Sequence, residues 1–244
     1  MLKLENITKS YRGKPALHSF SMTLKPGVYG LLGPNGAGKS TMMNIITDNL
    51  RPDSGEVFWN DKPAREMGRD FRRILGYTPQ QQGLYDEFTG RRFLSYIAAL
   101  KEIPKAKLLT EIERVATSVN LMNELDKKLG AYSGGMKQRI LIAQALLGTP
   151  ELIIMDEPTA GLDPKERIRV RELLDSLGED KVVLVATHVV SDIESIAKEI
   201  IVLRQGELVA KNKPVLLVKK YAPKGTMEDV YLKLFGEDEQ PCLN

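Results

Sequence analysis

Short runs of apolar residues, separated by turn-forming residues, fill the first sixty positions of the chain. Alternating or unbroken apolar runs predict strands at residues 2–7, 16–24, 28–32 and 56–59. A helix is predicted over residues 41–47, before a turn at 51–55 where proline, aspartate, serine and glycine cluster. Asn60 and Asp61 predict the tip of a hairpin, although aspartate stands where such turns favour glycine.

Between about residue 88 and residue 148 the apolar positions follow a helical period instead. Two series recur every three or four residues, namely Phe93, Ile97 and Leu100, and then Leu108, Ile112, Val115 and Val119. Pro104 separates the two series, because proline interrupts a helix. This segment is therefore predicted to be a group of helices.

After Pro150 strands and helices alternate again. Strands are predicted at residues 152–155, 182–186, 200–203 and 207–210, and helices at 164–177, 190–197 and 227–235. The last residues, 236–244, are expected to fray. The pattern as a whole predicts one domain with an α/β core at about 1–87 and 149–210, a helical insertion at about 88–148 and a C-terminal tail at about 211–244.

Composition excludes several classes of protein. The chain has 244 residues, 42% apolar and 27% charged, which is enough for a sizeable core. A net charge of +3 is too small to indicate nucleic-acid binding, and the one cysteine, Cys242, cannot form an internal disulfide. No apolar run approaches the roughly 18 residues of a membrane span, and the N-terminus lacks the layout of a signal peptide. We therefore expect a cytoplasmic protein that reaches a membrane only through a partner.

The first candidate site is a glycine-rich stretch between the strand at 28–32 and the helix at 41–47. It consists of Gly33, Pro34, Asn35, Gly36, Ala37, Gly38, Lys39, Ser40 and Thr41. The spacing G-x-x-x-x-G-K-[ST] is that of the phosphate-binding P-loop, in which backbone N–H groups and a helix N-terminus converge on phosphate oxygens. Lys39 is expected to reach the β- and γ-phosphates, and the Ser40 hydroxyl to hold Mg²⁺.

Two carboxylates follow the buried strand at 152–155. Asp156 stands where P-loop ATPases hold Mg²⁺, and the next residue, Glu157, can take a proton from an attacking water. A solvated pair at a strand end is the alternative, but the preceding P-loop disfavours it. Upstream, Ser133 is a candidate helix cap, and Gly134 and Gly135 at a helix start would offer bare N–H groups to an anion. Taken alone, this segment favours the alternative of an ordinary N-cap with a glycine turn.

In order, these motifs resemble the ATP-binding cassette (ABC) ATPases, and specifically the nucleotide-binding subunit of an ABC transporter. The resemblance rests on the P-loop, Ser-Gly-Gly-x-Lys-Gln-Arg at 133–139, Asp-Glu-Pro-Thr at 156–159, Gly-Leu-Asp at 161–163 and Thr-His at 187–188. It implies an α/β fold with a P-loop NTPase (RecA-like) core and mixed β-sheet, an N-terminal antiparallel β region and an inserted helical subdomain. Tyr132 replaces the leucine that usually precedes the signature serine.

The resemblance also implies roles for residues that the spacing alone leaves open. Tyr11 would stack on adenine, although it could simply be an edge-strand tyrosine. Gln80 would contact Mg²⁺ or the attacking water; Pro79 before it identifies it among three consecutive glutamines. Asp163 would be the D-loop aspartate and one of the nucleotide-binding residues, and His188 would be the switch histidine that contacts the γ-phosphate. The signature Ser133, Gly134 and Gly135 would bind the nucleotide of the opposite subunit.

The cofactors implied are ATP and Mg²⁺, and the partners are a second cassette, identical or paired, and an integral membrane permease subunit. The loop at 83–88 is a candidate docking surface, unless Leu84 and Phe88 fold back onto the helices. Three functions compete: a transporter ATPase on the inner face of the membrane, a non-transport regulator, and a module without turnover. The first is favoured, because the insertion is compact and both Glu157 and His188 are present. The residues after Gln80 favour export over import.

Overall fold

The computed structural model describes residues 1–80 and 83–236. Two segments lie outside the described residues. They are Gln81 and Gln82, which follow Gln80, and the C-terminal residues 237–244, which include Cys242. The strands in chain order are β1 (Leu2–Tyr11), β2 (Lys14–Leu24), β3 (Gly27–Leu32), β4 (Ser54–Trp59), β5 (Lys62–Pro63), β6 (Leu75–Thr78), β7 (Leu152–Asp156), β8 (Val182–Ala186), β9 (Glu199–Arg204) and β10 (Glu207–Asn212). The helices are α1 (Lys39–Ile46), α2 (Ala64–Met67), α3 (Arg69–Ile74), α4 (Gly90–Leu100), α5 (Lys105–Ser118), α6 (Gly134–Ala145), α7 (Pro164–Gly178), α8 (Pro214–Tyr221) and α9 (Met227–Phe235).

The strands form two sheets. Strands β2, β1, β4 and β5 make an antiparallel sheet in that order, and the Asn60–Asp61 tip joins β4 to β5 with both residues at positive φ. The second sheet has the order β10-β9-β3-β8-β7-β6 and is parallel except for its edge strand β10. Strand β3 lies between β8 and β9, so the carboxyl ends of β3, β7 and β8 share one edge. This edge is where the predicted phosphate loop and carboxylates follow.

Alternate residues of the second sheet face two separate cores. Ile153 and Met155 of β7, and Val183 and Val185 of β8, pack with the helices α4 to α7 and α9. Ile154 of β7 and the residues of opposite parity on β8 pack instead with α1 and the antiparallel sheet. Because successive side chains of a strand point to opposite faces, the unbroken apolar runs of β7 and β8 suit a sheet that is covered on both sides.

The helical region between β6 and β7 is held to the sheet by α6. This helix packs against β6, and α4 and α5 pack against it and against each other. Of the two predicted apolar series, Phe93, Ile112 and Val115 are buried. Leu100 is not, because it lies 64% exposed at the end of α4. Within residues 1–80 and 83–236, no helix is both long and apolar enough to cross a bilayer.

The structure confirms the fold class and the predicted strands, and it corrects one helix. Residues 190–197 were predicted to be helical, but they form only a short 3-10 turn, Val190–Asp192, followed by irregular turns. The backbone leaves the helical region at Ile193, where φ is −123° and ψ is −27°. Val190 and Ile193 are both buried, so tertiary packing of these side chains overrides the helical period.

Candidate functional site

The loop between β3 and α1 has the backbone shape that a phosphate site needs. Gly36 and Gly38 have φ of 80° and 106°, in the region that only glycine adopts readily. A side chain at Gly38 would also strike the carbonyl oxygen of Ala16. Gly38 caps α1 without a side-chain hydrogen bond, so the first N–H groups of the helix remain available to an anion.

Lys39 is held within this loop. Its ammonium group donates hydrogen bonds to the carbonyl oxygens of Gly33 at 2.5 Å and Pro34 at 3.0 Å. Burial lowers the pKa of Lys39, and the nearby carboxylates of Glu157 and Asp156 oppose that shift. The lysine is therefore positioned across the loop, with two carboxylates near it, before any nucleotide arrives.

Asp156 ends the buried strand β7 and is itself buried. Burial raises the pKa of its carboxyl group to about 6; Glu157 adds to this rise and Lys39 opposes it. A buried carboxylate with this shift is a group that a nearby cation would stabilise in its charged form. The donor set fits Mg²⁺, because Asp156 and Gln80 offer oxygen atoms to the same cavity as the Ser40 hydroxyl.

Glu157 adopts a left-handed backbone conformation, with φ of 52°. Its side chain is only 12% exposed. One carboxylate oxygen accepts the backbone N–H of His188 at 3.0 Å and lies 2.8 Å from His188 Nδ1. The other accepts the Thr187 hydroxyl at 3.1 Å. His188 itself is 70% exposed, so its ring can leave the carboxylate without disturbing a core.

One cavity of about 670 Å³ brings most of the predicted site residues together. It is lined by Tyr11, all nine residues of the loop from Gly33 to Thr41, Gln80, Asp156, Glu157 and His188, together with Ala16 and Tyr231. Its volume lies in the range of small-molecule sites. Tyr11 lies at the end of β1 and is 48% exposed. Tyr231 was not predicted, because nothing in the sequence connects residue 231 to the P-loop.

The signature segment lies elsewhere. Ser133 caps α6 by accepting the Met136 N–H at 3.2 Å, as predicted. Ser133, Gly134 and Gly135 are not among the described residues that line the cavity. Asp163 is also outside the cavity, where its side chain caps α7 by accepting the Glu166 N–H at 3.0 Å. These residues are therefore not brought to the nucleotide cavity of their own chain.

Tyr132, which replaces the usual leucine, is part of the helical core. It is buried, and its hydroxyl donates to the carbonyl oxygen of Glu124 at 2.7 Å. Burial, with help from Glu124 and Asp126, raises the pKa of this phenol to about 12. The substitution thus adds a hydrogen bond under the signature segment without exposing a polar group.

The predicted docking loop is only partly exposed. Leu84 and Phe88 pack against the helical core, whereas Tyr85 is 52% exposed. Tyr85 stacks on Phe88 with ring centroids 4.9 Å apart, and Tyr96 meets both rings edge-on. We call Tyr85, Phe88 and Tyr96 the aromatic patch.

A separate groove of about 590 Å³ lies beside β6. We call it the arginine-rimmed groove; its lining includes Arg69, Arg72, Arg73, Leu75, Tyr77, Leu100, Lys101 and Glu102. Arg69 and Arg73 both pair with Glu102, whereas no ion pair is found for Arg72 among the described residues. The groove therefore combines an apolar floor with a basic rim.

Comparison with known proteins gives a consistent family. The family model described as ABC transporter matches residues 17–160. An uncharacterised ABC transporter ATP-binding protein, YxlF of Bacillus subtilis, is 37% identical over 85% of this chain and 69% of the relative. Nod factor export ATP-binding protein I of Rhizobium meliloti is 35% identical over 89% of this chain and 65% of the relative. The chain thus spans about two thirds of the length of these curated relatives.

Solved structures agree. A dimeric structure of the ATP-binding cassette MJ0796, in a post-hydrolysis state bound to ADP and Pi, superimposes with a TM-score of 0.80 at 29% identity, covering 87% of this chain and 98% of that one. An ATP-binding subunit of an ABC transporter superimposes with a TM-score of 0.86 over 96% of this chain and 99% of that one. At 24% identity the second match supports the fold alone.

Proposed function

The chain belongs to the ABC transporter family of ATP-binding proteins, and from this premise we propose that it hydrolyses MgATP to drive transport through a separate membrane permease. One observation carries the proposal. A single cavity holds the phosphate loop, the buried Asp156, and Glu157 in contact with His188. An anion cradle, a metal-binding carboxylate and a proton acceptor are the parts that phosphoryl transfer to water requires.

The phosphates of ATP would bind the N–H groups around Gly36 and Gly38 and the ammonium group of Lys39, with adenine against Tyr11. Ser40, Asp156 and Gln80 would hold Mg²⁺, which neutralises phosphate charge when it is bound. A bound Mg²⁺ would add to the effect of Lys39 and favour the charged form of Asp156, whose pKa is raised by burial.

For hydrolysis, Glu157 would accept a proton from water. Its two carboxylate oxygens are held by His188 and Thr187, which fixes the direction of the side chain. The exposed ring of His188 can turn from Glu157 to the γ-phosphate when ATP is present. Both residues then act through position and charge, which supply most of the rate in this class of reaction.

The signature supports a paired assembly. Helix α6 begins at Gly134 after the Ser133 cap, and among the described residues no partner is found for the N–H groups of Gly134 and Gly135. All three residues lie outside the cavity of their own chain. A second cassette in head-to-tail arrangement would bring its signature to the γ-phosphate of this one, and Asp163 would lie at the same interface. ATP then stabilises the closed pair and hydrolysis releases it, a shift between two states.

The permease would dock on the aromatic patch and the arginine-rimmed groove. Along the chain both lie near Gln80, since Tyr77 of β6 lines the groove and Tyr85 is five residues after Gln80. A permease segment with apolar and acidic side chains suits the floor and rim of the groove. This partner would place the chain on the inner face of the membrane. Export is the direction that we propose, in line with the Nod factor export relative.

We also propose that the chain works as a single cassette. Its α/β core, at about 1–87 and 149–210, holds the nucleotide. The helical insertion at about 88–148 carries the signature. The C-terminal tail at about 211–244 is part of the same cassette. No nucleic-acid partner is proposed.

The test of nucleotide binding is Lys39→Ala, with Lys165→Ala as the control. Lys165 is an exposed lysine of α7 and does not line the cavity. We expect Lys39→Ala to lose ATP binding and phosphate release with an unchanged circular dichroism spectrum, and Lys165→Ala to match the wild type. Near-normal turnover by Lys39→Ala would exclude the proposed role of the phosphate loop.

A further inference from the structure

The chain continues past the second sheet into two helices that pack on each other, α8 and α9. Helix α9 is built into the domain. Met227, Val230 and Phe235 are buried in the same core as Val190 and Ile193, which follow β8. This side of α9 therefore rests on the turn that comes directly after His188.

Both ends of α9 are fixed. At its start, Thr226 and Asp229 form a reciprocal capping box, with N–H to oxygen distances of 2.7 and 3.3 Å. At its end, the Arg204 guanidinium donates to the carbonyl oxygen of Leu234 at 3.3 Å. Arg204 ends β9, and the carbonyl oxygen of its neighbour Leu203 lies against Gly33 of the phosphate loop. The helix is thus tied to the strand that flanks the loop.

This placement brings Tyr231 to the nucleotide cavity. It lines the cavity together with the phosphate loop, Glu157 and His188, and no other described residue of α8 or α9 does so. The ring is half-buried and packs on Phe235, with centroids 4.8 Å apart. Phe235 is itself buried, so it holds the Tyr231 ring from behind.

We propose that Tyr231 is a nucleotide-binding residue at the phosphate end of the site, and that its hydroxyl selects for the triphosphate. This rests on the proposed function. The phosphate end is indicated because α9 is tied to the turn after His188 and to β9 beside Gly33. Tyr11, at the adenine end, comes from the other sheet. A phenol hydroxyl can donate to a phosphate oxygen, and hydrogen bonds to charged acceptors are the stronger kind.

The test compares Tyr231→Phe and Tyr231→Ala with the same changes at Tyr221. Tyr221 is a half-buried tyrosine of α8 that does not line the cavity. Dissociation constants are measured for ADP and for a non-hydrolysable ATP analogue, with thermal unfolding in the absence of nucleotide as the check on folding.

We expect Tyr231→Phe to weaken the ATP analogue by about tenfold, the size of one hydrogen bond to a charged group, and ADP by less than twofold. Tyr221 variants should bind both as the wild type does. Tyr231→Phe keeps the ring that packs on Phe235, so it remains informative if the alanine variant unfolds.

Unchanged binding of the ATP analogue by Tyr231→Phe would overturn the assignment. Equal losses for ATP analogue and ADP would overturn the phosphate-end position. A wild-type chain that binds neither nucleotide would instead refute the proposed function, so the two failures are distinguishable.

Discussion

Replacing Glu157 by glutamine removes the proton acceptor but can keep the hydrogen bonds that hold the side chain in place. Two of the three hydrogen bonds to this side chain, both from His188, go to one carboxylate oxygen, and the third, from Thr187, goes to the other. In Glu157→Gln the amide oxygen can keep the bonds from His188, and the amide nitrogen can donate to the Thr187 hydroxyl. The free energy of unfolding should fall by no more than about 1.5 kcal/mol, roughly one hydrogen bond.

The catalytic loss should be much larger than the loss of stability. Removal of a general base typically costs between about 10² and 10⁴ in rate. This corresponds to about 3–5 kcal/mol at the transition state. Phosphate release at saturating MgATP is the assay, with titration of a fluorescent ATP analogue to show that binding survives. Glu151→Gln is the matched control, because Glu151 is an exposed glutamate next to the other end of β7. Hydrolysis by Glu157→Gln at the wild-type rate would refute the assignment.

The same variant reports on the shared site. Glu157→Gln should run as a dimer with ATP on size exclusion and as a monomer with ADP or without nucleotide. Adding Gly134→Arg should abolish the dimer. Apart from its two chain neighbours and the backbone of its own helix, no atom of the described residues lies within 4 Å of a Cβ built at Gly134. We therefore expect the arginine to leave the fold and the Ser133 cap intact. A dimer that persists in the double variant would contradict pairing through the signature.

Two further predictions concern surfaces away from the reacting atoms. Tyr85→Asp should abolish co-purification with membranes while sparing ATPase activity, whereas Leu109→Asp, at an exposed leucine of α5, should change neither property. Retention of Tyr85→Asp on membranes would exclude the aromatic patch as the docking surface. Burial lowers the pKa of Lys101 to about 8, so the folded state holds fewer protons than the unfolded state between about pH 8 and 10.5. Urea unfolding should therefore show wild-type stability rising with pH across this window by on the order of 3 kcal/mol relative to Lys101→Met, and parallel curves would contradict it.

The sequence predicted those parts of the site that directly follow a recognisable strand along the chain. The loop from Gly33 to Thr41, and Asp156 with Glu157, each follow directly from a strand, and a strand's end fixes where the next residues point. Once β3, β7 and β8 were recognised as parallel neighbours, their convergence followed from sheet geometry. Spacing alone could not have assigned Tyr11 or Gln80, which required resemblance to a family.

The features that sequence analysis missed depend on tertiary packing rather than on the order of motifs along the chain. Helices α2 and α3 have four and six residues, too few for a helical period to emerge from the sequence. Tyr231 lies nearly two hundred residues from Gly33, and it reaches the cavity only because Met227, Val230 and Phe235 are buried. Residues 190–197 have a helical apolar spacing, but Ile193 is buried with a non-helical backbone, so packing overrides the period there.

The position of β3 has a consequence for synthesis. Its hydrogen-bonded neighbours, β8 and β9, begin at Val182 and Glu199, so an apolar strand made early lacks partners for about 150 residues. At ribosomal rates of about 5–20 residues per second, this wait lasts on the order of 10–30 s. The nascent chain must carry a strand with two unpaired edges during that time, and it cannot bind nucleotide until nearly all of the chain has emerged. Chaperone demand and sensitivity to translational pausing should therefore be greatest before β8 is made.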